Sequence, residues 1–304
     1  MKNSLSILMI AVAASLWGII ALFVKELAVI GFSPMEIVSI RVTVAFFVLL
    51  IIGISFCRTQ LIVKTKDMPI FFGSGIISIV FFNWCYFTTI NQMNLSLAVI
   101  LLYTSPAIVV ILSRLFFKES LTKQKIIAVI GTLIGCIFIT GVGSDSTGDL
   151  TIIGLLTGLG SGLGYALYSI FGKIALKKYP PFTITIYTFL FATVFLLPLT
   201  TLWDKRDLLF QANTLLWALG LGILPTVLAY FLYTKGLDKI ESSKAAIIAT
   251  VEPIVATILG IILYKEGMGV WQMVGTGLIF MSVIIVNMRM DRKTRNISLN
   301  TEKV

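Results

Sequence analysis

Residues 95–119 read LSLAVILLYTSPAIVVILSRLFFKE, and residues 242–266 read SSKAAIIATVEPIVATILGIILYKE. Both stretches are largely apolar, both carry a central proline (Pro106, Pro253), and both close on Lys-Glu (Lys118-Glu119, Lys265-Glu266). They lie 147 residues apart. The correspondence extends backward without a gap, so that residues 73–119 align on 220–266 with 13 of 47 positions identical. Matches among Ile, Leu, Val and Ala mean little in so apolar a chain. The informative ones are Gly73/Gly220, Gly75/Gly222, Tyr86/Tyr233, Pro106/Pro253 and the Lys-Glu pairs. A shift of 148 pairs Trp17, Phe23 and Lys25 with Tyr165, Phe171 and Lys173, and a shift of 144 pairs Gly131-Thr132 with Gly275-Thr276. The chain reads as an internal duplication of a set of apolar segments.

Of its 304 residues 58% are hydrophobic and only 12% charged, too few polar groups to face water over a soluble surface. A bilayer core of about 30 Å needs roughly 20 helical residues. Ten segments meet that length: 5–24, 35–54, 69–90, 95–117, 125–142, 152–174, 182–203, 214–235, 243–264 and 269–288. The expected fold is an all-α integral membrane protein of ten transmembrane helices. Residues 5–142 form the first five-helix repeat and 152–288 the second, with 289–304 as a polar, disordered cytoplasmic tail. Five is odd, so the second repeat enters the membrane from the opposite side, the inverted design of secondary transporters. The first segment could pass for a signal peptide, but its apolar run reaches Val24 and the repeat needs it as an uncleaved helix.

The net charge of +10 would raise nucleic acid in a soluble protein. Here the cations sit in short loops. With the N-terminus inside, 18 Lys and Arg fall on the cytoplasmic side, four outside, and two (Arg41, Arg114) within helices. That bias places both termini in the cytoplasm. No histidine is present, and Cys57, Cys85 and Cys136 have no metal-ligand spacing. No nucleotide loop or nucleophile–base pair occurs, so neither enzyme chemistry nor a metal or cofactor is expected.

Ionisable residues inside spans are costly and are functional candidates. Glu252 lies near the middle of the ninth segment, beside Pro253. Pro253 and its counterpart Pro106 each free a backbone carbonyl, and paired helix breaks near the midplane point to a transporter site. Glu252 is a candidate for binding an amine or a coupling proton, or for a structural carboxyl. Arg41 could hold a substrate carboxylate; a structural role is the favoured reading. Lys25 and Lys173 stand at opposite helix ends as gating or snorkelling charges, and Glu119 and Glu266 are structural or gate residues, the first facing the cytoplasm and the second outward. The aromatic residues Trp17, Tyr86, Tyr103, Tyr165, Tyr168, Tyr230 and Tyr233 are candidates to line a pocket for an amphipathic solute.

These features resemble the drug/metabolite transporter superfamily, and within it the EamA family of ten-helix carriers. The resemblance covers 5–288. It rests on Trp17-Gly18 followed by Lys25, on Arg41, on Tyr103-Thr104-Ser105-Pro106 with Lys118-Glu119, and on Val251-Glu252-Pro253 with Lys265-Glu266. It implies a carrier in a bacterial inner membrane that exports small metabolites such as amino acids or amines, some members importing nutrients instead; alternating access follows from the inverted repeat, and Glu252 makes a proton the candidate coupling ion. The implied cavity is formed mainly by helices 1, 3, 4, 6, 8 and 9. The Arg41 and Glu252 positions recur in relatives with different cargo, so neither is a substrate code. A lipid or lipid-linked sugar flippase is the alternative. One chain holds both repeats, so a monomer suffices and a homodimer is not required.

Overall fold

The structure, a computed structural model, describes residues 2–140, 151–264 and 269–288. Helices are named α1 (Ser4–Ile30), α2 (Pro34–Phe56), α3 (Thr65–Gln92), α4 (Leu95–Phe117), α5 (Lys123–Ile139), α6 (Ile152–Ala175), α7 (Pro181–Leu199), α8 (Ala212–Leu237), α9 (Ser242–Leu263) and α10 (Val270–Asn287). Among the described residues nine are long and apolar enough to cross a membrane. The exception is α5, whose 17 residues span about 26 Å, just short of the hydrocarbon core. Its expected last turn, at 141–142, lies outside the described residues, as does the tail 289–304.

The outer surface is apolar, as lipid requires. On α5, Ile126, Ile127, Ile130 and Ile134 are exposed, and on α10 so are Phe280, Met281 and Ile284. A water-soluble protein does not expose such a belt. Polar residues turn inward instead, with Ser74, Ser78, Thr89, Thr132, Ser161 and Thr188 all buried.

The most extensive contacts between the halves are unchanged when each of the first five helices is exchanged for the helix five places later. α1 packs on α8 and α9, and α6 on α3 and α4; α2 packs on α7 and α8, and α7 on α2 and α3; α5 packs on α10. Small residues permit the close approaches. A Cβ at Gly135 of α5 would stand 2.9 Å from the Gly275 carbonyl oxygen of α10. One at Gly18 of α1 would stand 2.8 Å from the Glu252 carbonyl oxygen of α9.

Several helices are not regular. α1 has a turn at Ile19 and continues past its expected end to Ile30, where Gly31 at φ 118° closes it in the left-handed conformation. α4 is interrupted at Tyr103–Thr104 and α9 at Thr250, just ahead of Pro106 and Pro253. α3 and α8 each contain wide π-type turns, at Gly73–Phe81 and Ile223–Leu228. In the second, Pro225 has no N–H for the carbonyl of Leu221, and the Thr226 hydroxyl takes that carbonyl at 2.7 Å. In the first, the Ser78 hydroxyl donates to the Gly73 carbonyl at 3.2 Å.

α7 is tied to its neighbours at both ends, to α2 at one and to α3 at the other. Lys205 pairs with Glu36 at 2.7 Å, and Thr201 donates to the same carboxylate at 2.7 Å. At the other end Lys178 pairs with Asp67 at 2.5 Å and the Tyr179 hydroxyl donates to it at 2.7 Å.

Candidate functional site

A cavity of about 490 Å³ lies between the halves. It reaches toward the end of the bundle that carries the α1–α2 and α3–α4 connections, since Val24, Pro34, Ile90 and Leu95 all line it. Its walls are mostly apolar. Its polar equipment is Arg41 on α2, Asn83 and Tyr86 on α3, Tyr103 on α4, Tyr165 on α6, Tyr230 on α8, and Glu252 and Thr257 on α9, with Trp17 on α1. α5 contributes Ile139 as well.

The helix interruptions set the geometry. Thr250 ends the first half of α9, and Glu252 follows in the first turn of the second half. Its carboxylate accepts the Tyr165 hydroxyl at 2.9 Å. The Tyr165 ring stands edge-on to Trp17 at 6.0 Å and to Phe82 at 5.6 Å. Trp17 also contacts Tyr230 at 5.1 Å. The result is an aromatic box around a half-buried carboxylate, with rings from both repeats. Arg41 is buried on the cavity wall and forms no ion pair among the described residues.

Two of the expected pocket residues go elsewhere. Tyr168 and Tyr233 do not line the cavity; they lie in the packed layer on its far side. The Tyr168 hydroxyl pairs with Thr234 at 2.8 Å, and that of Tyr233 with Ser169 at 2.6 Å. Spacing alone cannot separate them from Tyr165 and Tyr230, because one helical turn moves a ring from cavity to plug. Trp84, another intramembrane aromatic, faces outward and stacks on Phe81.

The end opposite the cavity opening is closed. Ile10, Ala13, Val109, Leu237, Ala245 and Ile248 are buried there. Beyond them Glu119 caps the start of α9, accepting the Ser242 N–H at 2.7 Å, the Ser243 N–H at 3.2 Å and the Ser243 hydroxyl. A carboxylate suits the positive end of a helix dipole. Lys125 joins Glu119 at 3.6 Å and Glu241 at 3.0 Å. Lys173 donates to the carbonyls of Leu237 at 2.6 Å and Ile240 at 2.7 Å, satisfying the open end of α8. Lys25 is exposed on α1. Glu266 lies outside the described residues. The described residues contain no His/Cys/Asp/Glu cluster that could hold a metal.

The comparisons agree with this architecture. The chain is similar to a solved structure titled "Crystal structure of protein", with a TM-score of 0.77 and 17% identity over 93% of this chain and 96% of that one, a likeness of fold. It is 26% identical to an uncharacterized transporter of Archaeoglobus fulgidus over 91% of this chain and 94% of the relative. It is 26% identical to the uncharacterized transporter YwfM of Bacillus subtilis over 94% and 95%. It is 23% identical to the uncharacterized inner membrane transporter YicL of Salmonella typhimurium over 97% and 98%. The model of one family, the EamA-like transporters, matches residues 4–141 and again 152–288. A multi-pass helical membrane protein most of whose length is covered by two successive matches of that model is a member of the EamA-like transporter family.

Proposed function

We propose that this chain is a secondary active exporter of small amphipathic metabolites, amino acids or amines among them, in a bacterial inner membrane. The observation that carries the reading is the aromatic-lined cavity in which Tyr165 holds the Glu252 carboxylate beside a helix interruption. A carboxylate in a cavity lined by aromatic residues is a site for an ammonium group. It is equally the group placed to take a coupling proton. In this reading all ten helices cross the membrane, with α5 at the thin end of the range, and both termini are cytoplasmic. Two inverted five-helix repeats rock about the cavity. The present conformation is open toward the outer face and closed at the cytoplasmic one by Glu119, Lys125 and Lys173. The symmetric pairing of helices supports this, as does the twofold family match. The protein works as a carrier, not an enzyme, and the monomer contains the whole pathway.

Flux tests the reading. Purified protein in proteoliposomes carries out saturable counterflow of one or more labelled amino acids or amines, driven by an imposed pH gradient, and Glu252→Gln abolishes the driven component. Absence of solute flux across such a panel, together with movement of a fluorescent lipid between leaflets, would replace the carrier with a flippase.

A further inference from the structure

Two side chains of the cavity wall carry donors that no described residue satisfies. Arg41 is 6% exposed, and its Nε and Nη2 have no hydrogen-bond partner among the described residues. Trp17 is also 6% exposed, and its indole Nε1 is likewise unpartnered. Both side chains line the same cavity. An unpaired guanidinium away from bulk water is costly.

The other inward cations are treated differently. Lys125 has Glu119, Glu241 and the Ser120 carbonyl; Lys173 has three helix-end carbonyls; Lys205 has Glu36 and the Gly31 carbonyl. A purely structural arginine would have found the same kind of partners. Glu252 does not supply one for Arg41, since the two form no ion pair and the Glu252 carboxylate is engaged by Tyr165.

We infer that Arg41 and Trp17 form an anion subsite that takes the carboxylate of the cargo. The guanidinium donates to the carboxylate oxygens and the indole N–H adds a further donor. Among the described residues Arg41 is the one Lys or Arg lining the cavity, which matches a single negative charge and disfavours a phosphate dianion. The apolar walls, with Ile20, Ile37, Phe87 and Val99 among them, cover an aliphatic or aromatic body. An ammonium group on the same cargo is left to Glu252. The inference rests on the cavity being the transport site.

Three matched probes test it: 3-phenylpropionate, its amide 3-phenylpropanamide, and phenethylamine, each titrated against the purified protein with binding read by thermal shift. The carboxylate stabilises the protein and the isosteric amide does not. Arg41→Gln weakens the carboxylate about tenfold or more, and Trp17→Phe, which keeps the ring, weakens it by a smaller factor. Should Arg41→Gln fail to fold, Arg41→Lys keeps the charge without the fork and binds the carboxylate more weakly than wild type. Equal binding of carboxylate and amide overturns the subsite, as does unchanged carboxylate affinity in the Arg41 variants, or no response to the carboxylate at all. Binding of phenethylamine alone, lost in Glu252→Gln, overturns the subsite and leaves the carrier standing. Carboxylate binding that depends on Arg41, with no flux in proteoliposomes, leaves the subsite and overturns the carrier.

Discussion

Trp17 and Tyr165, on the first helix of each half, meet edge to face with ring centroids 6.0 Å apart, and the Tyr165 hydroxyl runs on to Glu252 at 2.9 Å. The two stand at equivalent places in the duplication, yet they do different work. The indole N–H of Trp17 is unpartnered, whereas the phenol of Tyr165 fixes a carboxylate. In the proposed carrier one paired position is a donor to cargo and the other a holder of the acid.

Tyr165→Phe keeps the ring and removes the donor to Glu252. A hydrogen bond to a charged group contributes about 1.5–3 kcal/mol. Flux in proteoliposomes therefore falls about tenfold or more while the protein stays folded. Trp84→Ala, on the outer surface, leaves flux near wild type. Normal flux in Tyr165→Phe would remove Glu252 positioning from the account.

The α5–α10 contact is a matter of stability and not of transport. Gly135→Val drives a side chain into the Gly275 backbone, and overpacking of this kind costs about 1–3 kcal/mol. The melting temperature drops by several degrees, whereas Gly277→Ala, with nothing within 4 Å of its added methyl, does not shift it. Affinity for cargo is unchanged in both. An equal effect of the two substitutions would show that the helices do not pack here as described.

Gly18 couples packing to the site. An added methyl meets the Glu252 carbonyl oxygen and the Val255 side chain at 2.8 Å each. Gly18→Ala thus displaces α9 at its interruption and moves Glu252 away from Tyr165. Flux declines more than the melting temperature does, and a matching decline in both would assign Gly18 to packing alone.

Much of this was legible in the sequence. The duplication located the helices, and Pro106 and Pro253 marked the interruptions in α4 and α9, because a missing N–H is a local property of the residue. Glu252 stood out because a carboxylate inside a span is expensive. The wide turns in α3 and α8 were not legible: an extra residue in a turn hardly alters a pattern that is apolar all round. Pro225 with Thr226 was the available signal. Nor could spacing tell that Tyr168 and Tyr233 serve the closed end, since that depends on where each helix face meets its neighbour. The sequence leaves Arg41 open between a structural and a binding role, because nothing in a sequence reveals that a buried arginine lacks partners.

Glu119 ties pH to the closed end. It lies outside the membrane-spanning segments. Burial pushes its carboxyl up, but the Ser243 hydroxyl, the N–H groups of Ser242 and Ser243, and Lys125 together outweigh this and hold it below its ordinary 4.5. A carboxyl lowered in the folded state contributes stability that is present above its ordinary value and lost as pH falls through the folded one. The melting temperature of wild type therefore exceeds that of Glu119→Gln at neutral pH, and the gap narrows below about pH 4.5 as Glu119 protonates. The same substitution loosens the cap on α9. With Cys57, Cys85 and Cys136 replaced, a cysteine introduced by Ser113→Cys, a fully buried position at this end, reacts with a maleimide faster at pH 7 when Glu119→Gln is also present. A gap in melting temperature that persists unchanged into acid, or labelling indifferent to Glu119→Gln, would mean that the Glu119 charge does not hold this end shut.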